Sequence, residues 1–143
     1  LAAFIFYLLV QRYIMAYWLF KQEPSTYNYQ QLEKDGRTVW DGVANNLALK
    51  HLRAVKKGDR ALFYHTGDEK QAVGVMEAVS DAYLKDGVPV VDVRPAGRLA
   101  RPVTLEQIKA DPAFADWELV RISRLSVMPV PEKLWDRIMK MGK

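Results

Sequence analysis

The chain has 143 residues, of which 50% are hydrophobic and 27% are charged, as is usual for a single globular domain with a real core. It contains no cysteine, which excludes a disulfide scaffold, a thiolate zinc site and a cysteine nucleophile. The lack of cysteine also fits a reducing cytoplasm, where we expect the protein to act. The formal charge of +4 suits a phosphate-bearing partner but does not establish one.

The first fourteen residues differ from the rest. Residues 1–10 are apolar throughout, yet they are fewer than the roughly 20 residues that a membrane-spanning helix needs. They also lack the basic start and the cleavage motif of a signal peptide. We interpret residues 1–14 as an upstream extension or an artefact of expression cloning, with Met15 as the natural start and residues 15–143 as one domain. The alternative is an extra strand or helix that packs on the domain.

The next segments alternate strands with short helices. Residues 16–21 predict a buried strand. Asn28 predicts the N-cap of a short helix, with the Gln31 side chain reaching back to it and Gly36 ending it. Residues 38–40 predict a brief extended piece.

A helix is predicted over residues 43–53, after a turn at Asp41 and Gly42. Its buried side is expected to carry Val43, Leu47 and Leu52.

Three strands are expected in the middle of the chain. Residues 60–65 and 72–79 predict a hairpin with a polar turn between them. Residues 88–94 predict a third strand, whose continuation is interrupted by Pro95 and Gly97.

The last third predicts more helix than strand. Thr104 and Gln107 have the form of a capping box, and the helix that they open should end before Pro112. Residues 113–120 predict a further helical turn, and residues 125–128 a returning strand.

A final helix is predicted from Pro131, with Leu134, Ile138 and Met141 at helical spacing. In total, five or six short strands with intervening helices predict an α+β fold built on a curved mixed sheet or a small open barrel.

Most catalytic chemistries find no support in the sequence. His51 and His65 are the only histidines, and they form no metal-binding pair. The glycines occur singly at turns, so neither a P-loop nor a dinucleotide-binding loop is present, and no serine lies in a nucleophile elbow. We therefore expect no cofactor and no metal.

Aromatic and polar side chains remain near the predicted strand ends. Trp40 precedes a turn, Tyr64 and His65 end a strand, and residues 21–23 leave the first strand. On sequence alone Trp40 fits ordinary core better than a binding site, and Lys21 could be a solvated strand end. Composition and spacing leave both interpretations open.

Four blocks of sequence, in order, resemble the EVE domain, a member of the PUA-like superfamily distantly similar to YTH domains. They are YWLFKQEP at 17–24, WDGVAN at 40–45, residues 58–65, which begin with Gly-Asp and end in LFYH, and RLSVMPV at 124–130. The resemblance extends over residues 15–143 and includes the Trp135 helix. It implies a curved, barrel-like sheet flanked by helices.

The resemblance also implies a function. It predicts a non-enzymatic reader that captures a modified base of DNA or RNA, modified cytosine above all, in an aromatic pocket, acting as a monomer with no membrane partner. By position it implies that Trp40 forms a wall of that pocket and that Arg124 contacts phosphate. The other implied pocket residues are Lys21, Gln22, Glu23, Asp41, Asn45, Tyr64, His65, Leu125 and Ser126.

Two positions depart from the common pattern of the family. Gln22 stands where many members have serine, and Ala44 stands where many have arginine. Gln22 carries both a donor and an acceptor, so it can read a different base edge or narrow the pocket. The loss of arginine at position 44 removes one backbone contact.

Stacking on an indole is worth roughly 1–3 kcal/mol per base. We therefore expect Trp40→Ala to abolish binding and to leave the fold intact. Two other classes stay open: a small enzyme that acts on a nucleobase or metabolite with Glu23, Asp41 or His65 as acid or base, and a module that binds a small ligand or a protein.

Overall fold

The computed structural model describes residues 1–5 and 15–143. Most of the segment that we interpret as an extension, residues 6–14, lies outside the described residues, so that interpretation stays a prediction. Within the described ranges, no helix is both long and apolar enough to traverse a bilayer.

The described part of the chain forms one seven-stranded mixed sheet. Its order is β2-β6-β4-β3-β1-β7, with β5 paired to β6 outside this path. Only β1 and β3 are parallel; the other pairs are antiparallel. The strands are β1 Tyr17–Gln22, β2 Thr38–Trp40, β3 Arg60–His65, β4 Gln71–Ala78, β5 Tyr83–Lys85, β6 Val88–Thr104 and β7 Val127–Pro129.

The sheet curls into a half-barrel flanked by helices, which confirms the predicted α+β, PUA-like class. The helices are α1 Tyr29–Asp35, α2 Asn46–Arg53, α3 Leu105–Lys109, a 3₁₀ turn at Pro112–Phe114, α4 Glu118–Arg121 and α5 Glu132–Met141. The predicted caps at Asn28 and Gly36 and the capping box at Thr104 are confirmed. The Gln31 side chain, however, bonds Asp35 instead of reaching back to Asn28.

The predicted interruption of the third strand is wrong. β6 continues without a break through Pro95 and Gly97 to Thr104. β2 pairs with β6 only as far as Val93, and from Arg94 onward the described partner of β6 is β4. A proline is tolerated on a strand edge, and two register shifts in the β4–β6 pairing absorb the irregularity.

Helix α2 begins later than predicted. The Asn45 side chain accepts a hydrogen bond from the Ala48 backbone N–H at 3.0 Å, so it caps a helix that starts at Asn46. Leu47 is 38% exposed, and Ala48 takes the expected place beside Leu52 in the core. The residues between Trp40 and Asn45 therefore form a loop, with Gly42 at φ 75°.

The C-terminal part differs from prediction in detail. The helical turn expected over residues 113–120 divides into the 3₁₀ turn and α4, and the returning strand occupies Val127–Pro129 rather than 125–128. The residues between α4 and β7 consequently form a loop that reaches the end of β1, with Ser123 and Arg124 exposed and Leu125 buried.

Candidate nucleic-acid interface

The candidate site lies where the parallel strands β1 and β3 both end. Lys21 pairs with Tyr64 and Gln22 with His65 across the two strands. The Lys21 backbone N–H donates to the Ser126 carbonyl at 2.8 Å, which brings the loop before β7 to the same edge. Segments far apart in sequence therefore meet at one edge of the sheet.

An open concavity of about 300 Å³ lies at this edge, and we call it the Trp40 cavity. It collects residues from four separate stretches of the chain. The predicted site residues that line it are Lys21, Gln22, Glu23, Trp40, Asp41, Arg124 and Ser126. The fold therefore brings these seven predicted residues together.

Trp40 forms the floor of the cavity rather than a free wall. Its side chain is only 4% exposed. Its ring centroid lies 5.3 Å from that of Phe20 and 5.2 Å from that of Phe63, which it meets edge to face. This burial argues against the expectation that Trp40→Ala leaves the fold intact, because the substitution would leave a void in the hydrophobic core.

The hydrogen bonds of Gln22 and Glu23 define what they offer a ligand. The Gln22 amide oxygen accepts from the Glu23 backbone N–H at 3.0 Å, so its NH₂ group remains as the donor. The Glu23 carboxylate accepts from the Ser25 hydroxyl and the Thr66 hydroxyl, each at 3.3 Å. Glu23 thereby ties the end of β1 to the end of β3.

Asp41 and Arg124 are exposed at the mouth of the cavity. Neither forms an ion pair with another residue of the described ranges. One therefore presents an acceptor and the other a cation to an incoming ligand.

Four predicted residues do not line the Trp40 cavity: Tyr64 lines a neighbouring cavity, and the other three are Asn45, Leu125 and His65. Asn45 caps α2, and Leu125 is 1% exposed in the core. His65 is also buried: its Nε2 accepts from the Tyr29 backbone N–H at 3.2 Å. Its proton therefore sits on Nδ1, which lies 2.9 Å from a Glu69 carboxylate oxygen. In these positions all three support the site from behind.

Tyr64 lines a second cavity, of about 250 Å³, which we call the lysine cavity. It shares Lys21, Thr66 and Ser123 with the Trp40 cavity, so the two adjoin. The Lys21 ammonium donates to the Ser123 carbonyl at 3.0 Å and lies 5.7 Å from the centroid of the Tyr64 ring. Burial lowers the pKa of Lys21 and raises the pKa of Tyr64 to about 12.

Several lining residues were not among those singled out from the sequence. Gly42 and Val43 lie within the 40–45 block that resembles the EVE domain, and Thr66 follows β3 directly. The sequence around these three residues therefore indicated that they lie near the site. Lys70 and Lys109 carried none, because nothing in the sequence indicates that they border one cavity.

The EVE domain family model matches residues 16–141, nearly the whole chain. The chain belongs to the EVE domain family. This EVE domain is similar to thymocyte nuclear protein 1 of Rattus norvegicus, with 27% identity over 87% of the chain and 73% of that protein.

Solved structures resemble this EVE domain throughout. A Rhodopseudomonas palustris protein solved by NMR is 40% identical, with a TM-score of 0.84 over 90% of this chain and 93% of the other. Human THYN1, in complex with DNA that contains 5-methylcytosine, is 24% identical, with a TM-score of 0.83 over 90% and 98%. At that identity the likeness to human THYN1 establishes the shared fold.

Proposed function

We propose that this chain is a non-enzymatic nucleic-acid reader that captures a modified cytosine in the Trp40 cavity. The main support is one open cavity above the buried Trp40 indole. Four polar side chains line it: Gln22, Asp41, Arg124 and Ser126. The solved complex of human THYN1 with DNA that contains 5-methylcytosine supports the choice of ligand.

The polar groups of the cavity match the edge of cytosine. The base offers an exocyclic amine as donor and ring N3 and O2 as acceptors. The Gln22 NH₂ group would donate to one of these acceptors, and the Asp41 carboxylate would accept from the amine. Because the Gln22 oxygen is held by the Glu23 backbone N–H, the amide cannot turn over to suit a different edge without losing that bond.

The methyl group at C5 would be read by contact rather than by hydrogen bonding. Val43 lines the Trp40 cavity and is 9% exposed, so it offers an apolar surface to the methyl group. One methyl group more or less in an apolar pocket changes binding by about 1–3 kcal/mol, or roughly five- to 150-fold. We therefore expect preference for the modified base, not absolute exclusion of cytosine.

Two of the three side chains offered for acid–base catalysis, His65 and Glu23, are engaged in the fold, whereas Asp41 is exposed. His65 bonds Tyr29 and Glu69, and the Glu23 carboxylate is held by Ser25 and Thr66. These bonds favour a binding site over an active site. We also propose that the protein acts as a monomer; the cytoplasmic location remains a prediction.

The decisive experiment compares single-stranded oligonucleotides that carry one cytosine or one 5-methylcytosine in the same sequence. Fluorescence anisotropy should show tighter binding of the methylated strand. Gln22→Leu removes the amide donor and should lower affinity by about tenfold. Gln30→Leu, the same change at an exposed position of α1, should have no effect on binding.

Two results would overturn the proposal. Equal affinity for the two strands would reduce the protein to a general binder of phosphate. A change in the mass of the modified nucleoside after incubation with the protein would instead establish an enzyme.

A further inference from the structure

The two adjoining cavities differ in charge. The Trp40 cavity balances Lys21 and Arg124 against Glu23 and Asp41. The lysine cavity is lined by Lys21, Lys70 and Lys109, and no carboxylate side chain is among its lining residues. A phosphate group is therefore attracted more strongly to the lysine cavity than to the cavity proposed for the base.

Tyr64 adds a hydrogen-bond donor to the lysine cavity. Its side chain is only 3% exposed, yet its hydroxyl has no hydrogen-bond partner among the described residues. No fully buried side-chain oxygen or nitrogen of these residues lacks a partner, so the hydroxyl opens into the cavity that Tyr64 lines. A neutral phenol in a cavity lined by three lysines is suited to donate to a phosphate oxygen.

One part of the lining is apolar. Leu105, Leu119 and Val120 provide a surface for a sugar or a base. Since Lys21 borders both cavities, a strand whose base enters the Trp40 cavity can cross Lys21 and place its next nucleotide here.

We propose that the lysine cavity binds the nucleotide adjacent to the captured base, with its phosphate held by the Tyr64 hydroxyl, Lys70 and Lys109. This assignment rests on the proposed function, because it takes the Trp40 cavity as the place of the captured base.

Charge also limits the length of the strand that is held. Beyond the lysine cavity, a further concavity shares Lys70 and Lys109 but adds Asp68, Glu69 and Glu106. These carboxylates repel a continuing phosphate backbone. Affinity should therefore rise from a modified nucleoside to a short oligonucleotide and then level off.

The test uses the double variant Lys70→Gln/Lys109→Gln and the short methylated strand. For single strands each neutralised phosphate contributes about 0.7 to the slope of log affinity against log salt, so the slope should fall by about 0.7, because both lysines hold the same phosphate. The double variant Lys57→Gln/Lys133→Gln removes two exposed lysines that line neither cavity and should keep the slope of the unmodified protein.

Tyr64→Phe provides an independent arm, since it removes only a hydroxyl that is open to the cavity. It should weaken binding of a methylated dinucleotide by about tenfold and leave binding of 5-methyl-2′-deoxycytidine unchanged. Unchanged salt slopes in the lysine variant, together with unchanged dinucleotide affinity in Tyr64→Phe, would overturn the lysine cavity as the neighbouring site. Preference for 5-methylcytosine over cytosine is measured in the same titrations, and its absence would overturn the proposed function instead.

Discussion

The two ends of the parallel β1–β3 pair differ in whether any polar side chain is left without a hydrogen-bond partner. Where the pair begins, the Asp59 carboxylate is 4% exposed and accepts from the backbone N–H groups of Ala16 and Lys56 and from the Trp18 indole N–H, at 2.9 to 3.1 Å. Where the pair ends, the Tyr64 hydroxyl and the Arg124 guanidinium have no partner among the described residues.

The contrast separates stability from binding. A buried carboxylate with three donors fixes the chain, because removing it would leave those donors unpaired. Groups that are left unpaired at the other end contribute little to folding and remain available to a ligand. We refer to these as the closed end and the open end.

The largest effect should come from the floor of the open end. Trp40→Ala removes a core indole and should lower the free energy of unfolding by about 3–5 kcal/mol. Trp40→Phe keeps an aromatic ring and should cost less. Urea unfolding followed by circular dichroism measures both; a loss below 1 kcal/mol for Trp40→Ala would mean that the indole is not core.

Replacing one aspartate at each end tests most directly whether the closed end serves stability and the open end serves binding. Asp59→Ala should lower the free energy of unfolding by about 3 kcal/mol, since three N–H donors lose their acceptor. Asp41→Ala, at the exposed mouth of the cavity, should change it by less than about 0.5 kcal/mol and should weaken binding instead. Similar losses of stability in both variants would contradict the distinction.

A smaller effect is expected at the rim. Arg124→Gln should weaken oligonucleotide binding by on the order of 1 kcal/mol, about fivefold, because an exposed cation contributes modestly in water. The ratio of affinities for methylated and unmethylated strands should stay the same, because phosphate contacts carry no base information. A changed ratio would indicate that Arg124 contacts the base rather than the phosphate backbone.

The smallest effect concerns pH. Burial lowers the pKa of Lys21 from its ordinary value of 10.5. As pH rises, the folded protein therefore releases the Lys21 proton before the unfolded chain does. In that window the Lys21 contribution to the free energy of unfolding rises with pH, and oligonucleotide affinity falls. Lys21→Arg should flatten the fall in affinity, measured with strands of cytosine and adenine at constant ionic strength.

Local sequence patterns predicted the elements well, and the resemblance predicted much of the candidate site. The caps at Asn28 and Thr104 were predictable because side-chain oxygens satisfy nearby N–H groups. The uninterrupted β6 was not, since its tolerance of Pro95 depends on which strands pair beside it. The burial of Trp40 depends on tertiary packing, which no local pattern encodes. The same holds for the placement of Lys70 and Lys109 around one cavity.

The walls of the Trp40 cavity come from residues 21–23, 40–43, 66 and 123–126, so a ligand bound there bridges nearly the whole fold. Any compound that binds there raises the free energy of unfolding of the whole domain. The increase is about 2.7 kcal/mol at a concentration one hundred times its Kd. Rising melting temperature in a library of modified nucleosides and dinucleotides would therefore rank ligands without labels. A fragment that lacks residues 21–23 or residues 123–126, and with them part of the lining, should give no such rise.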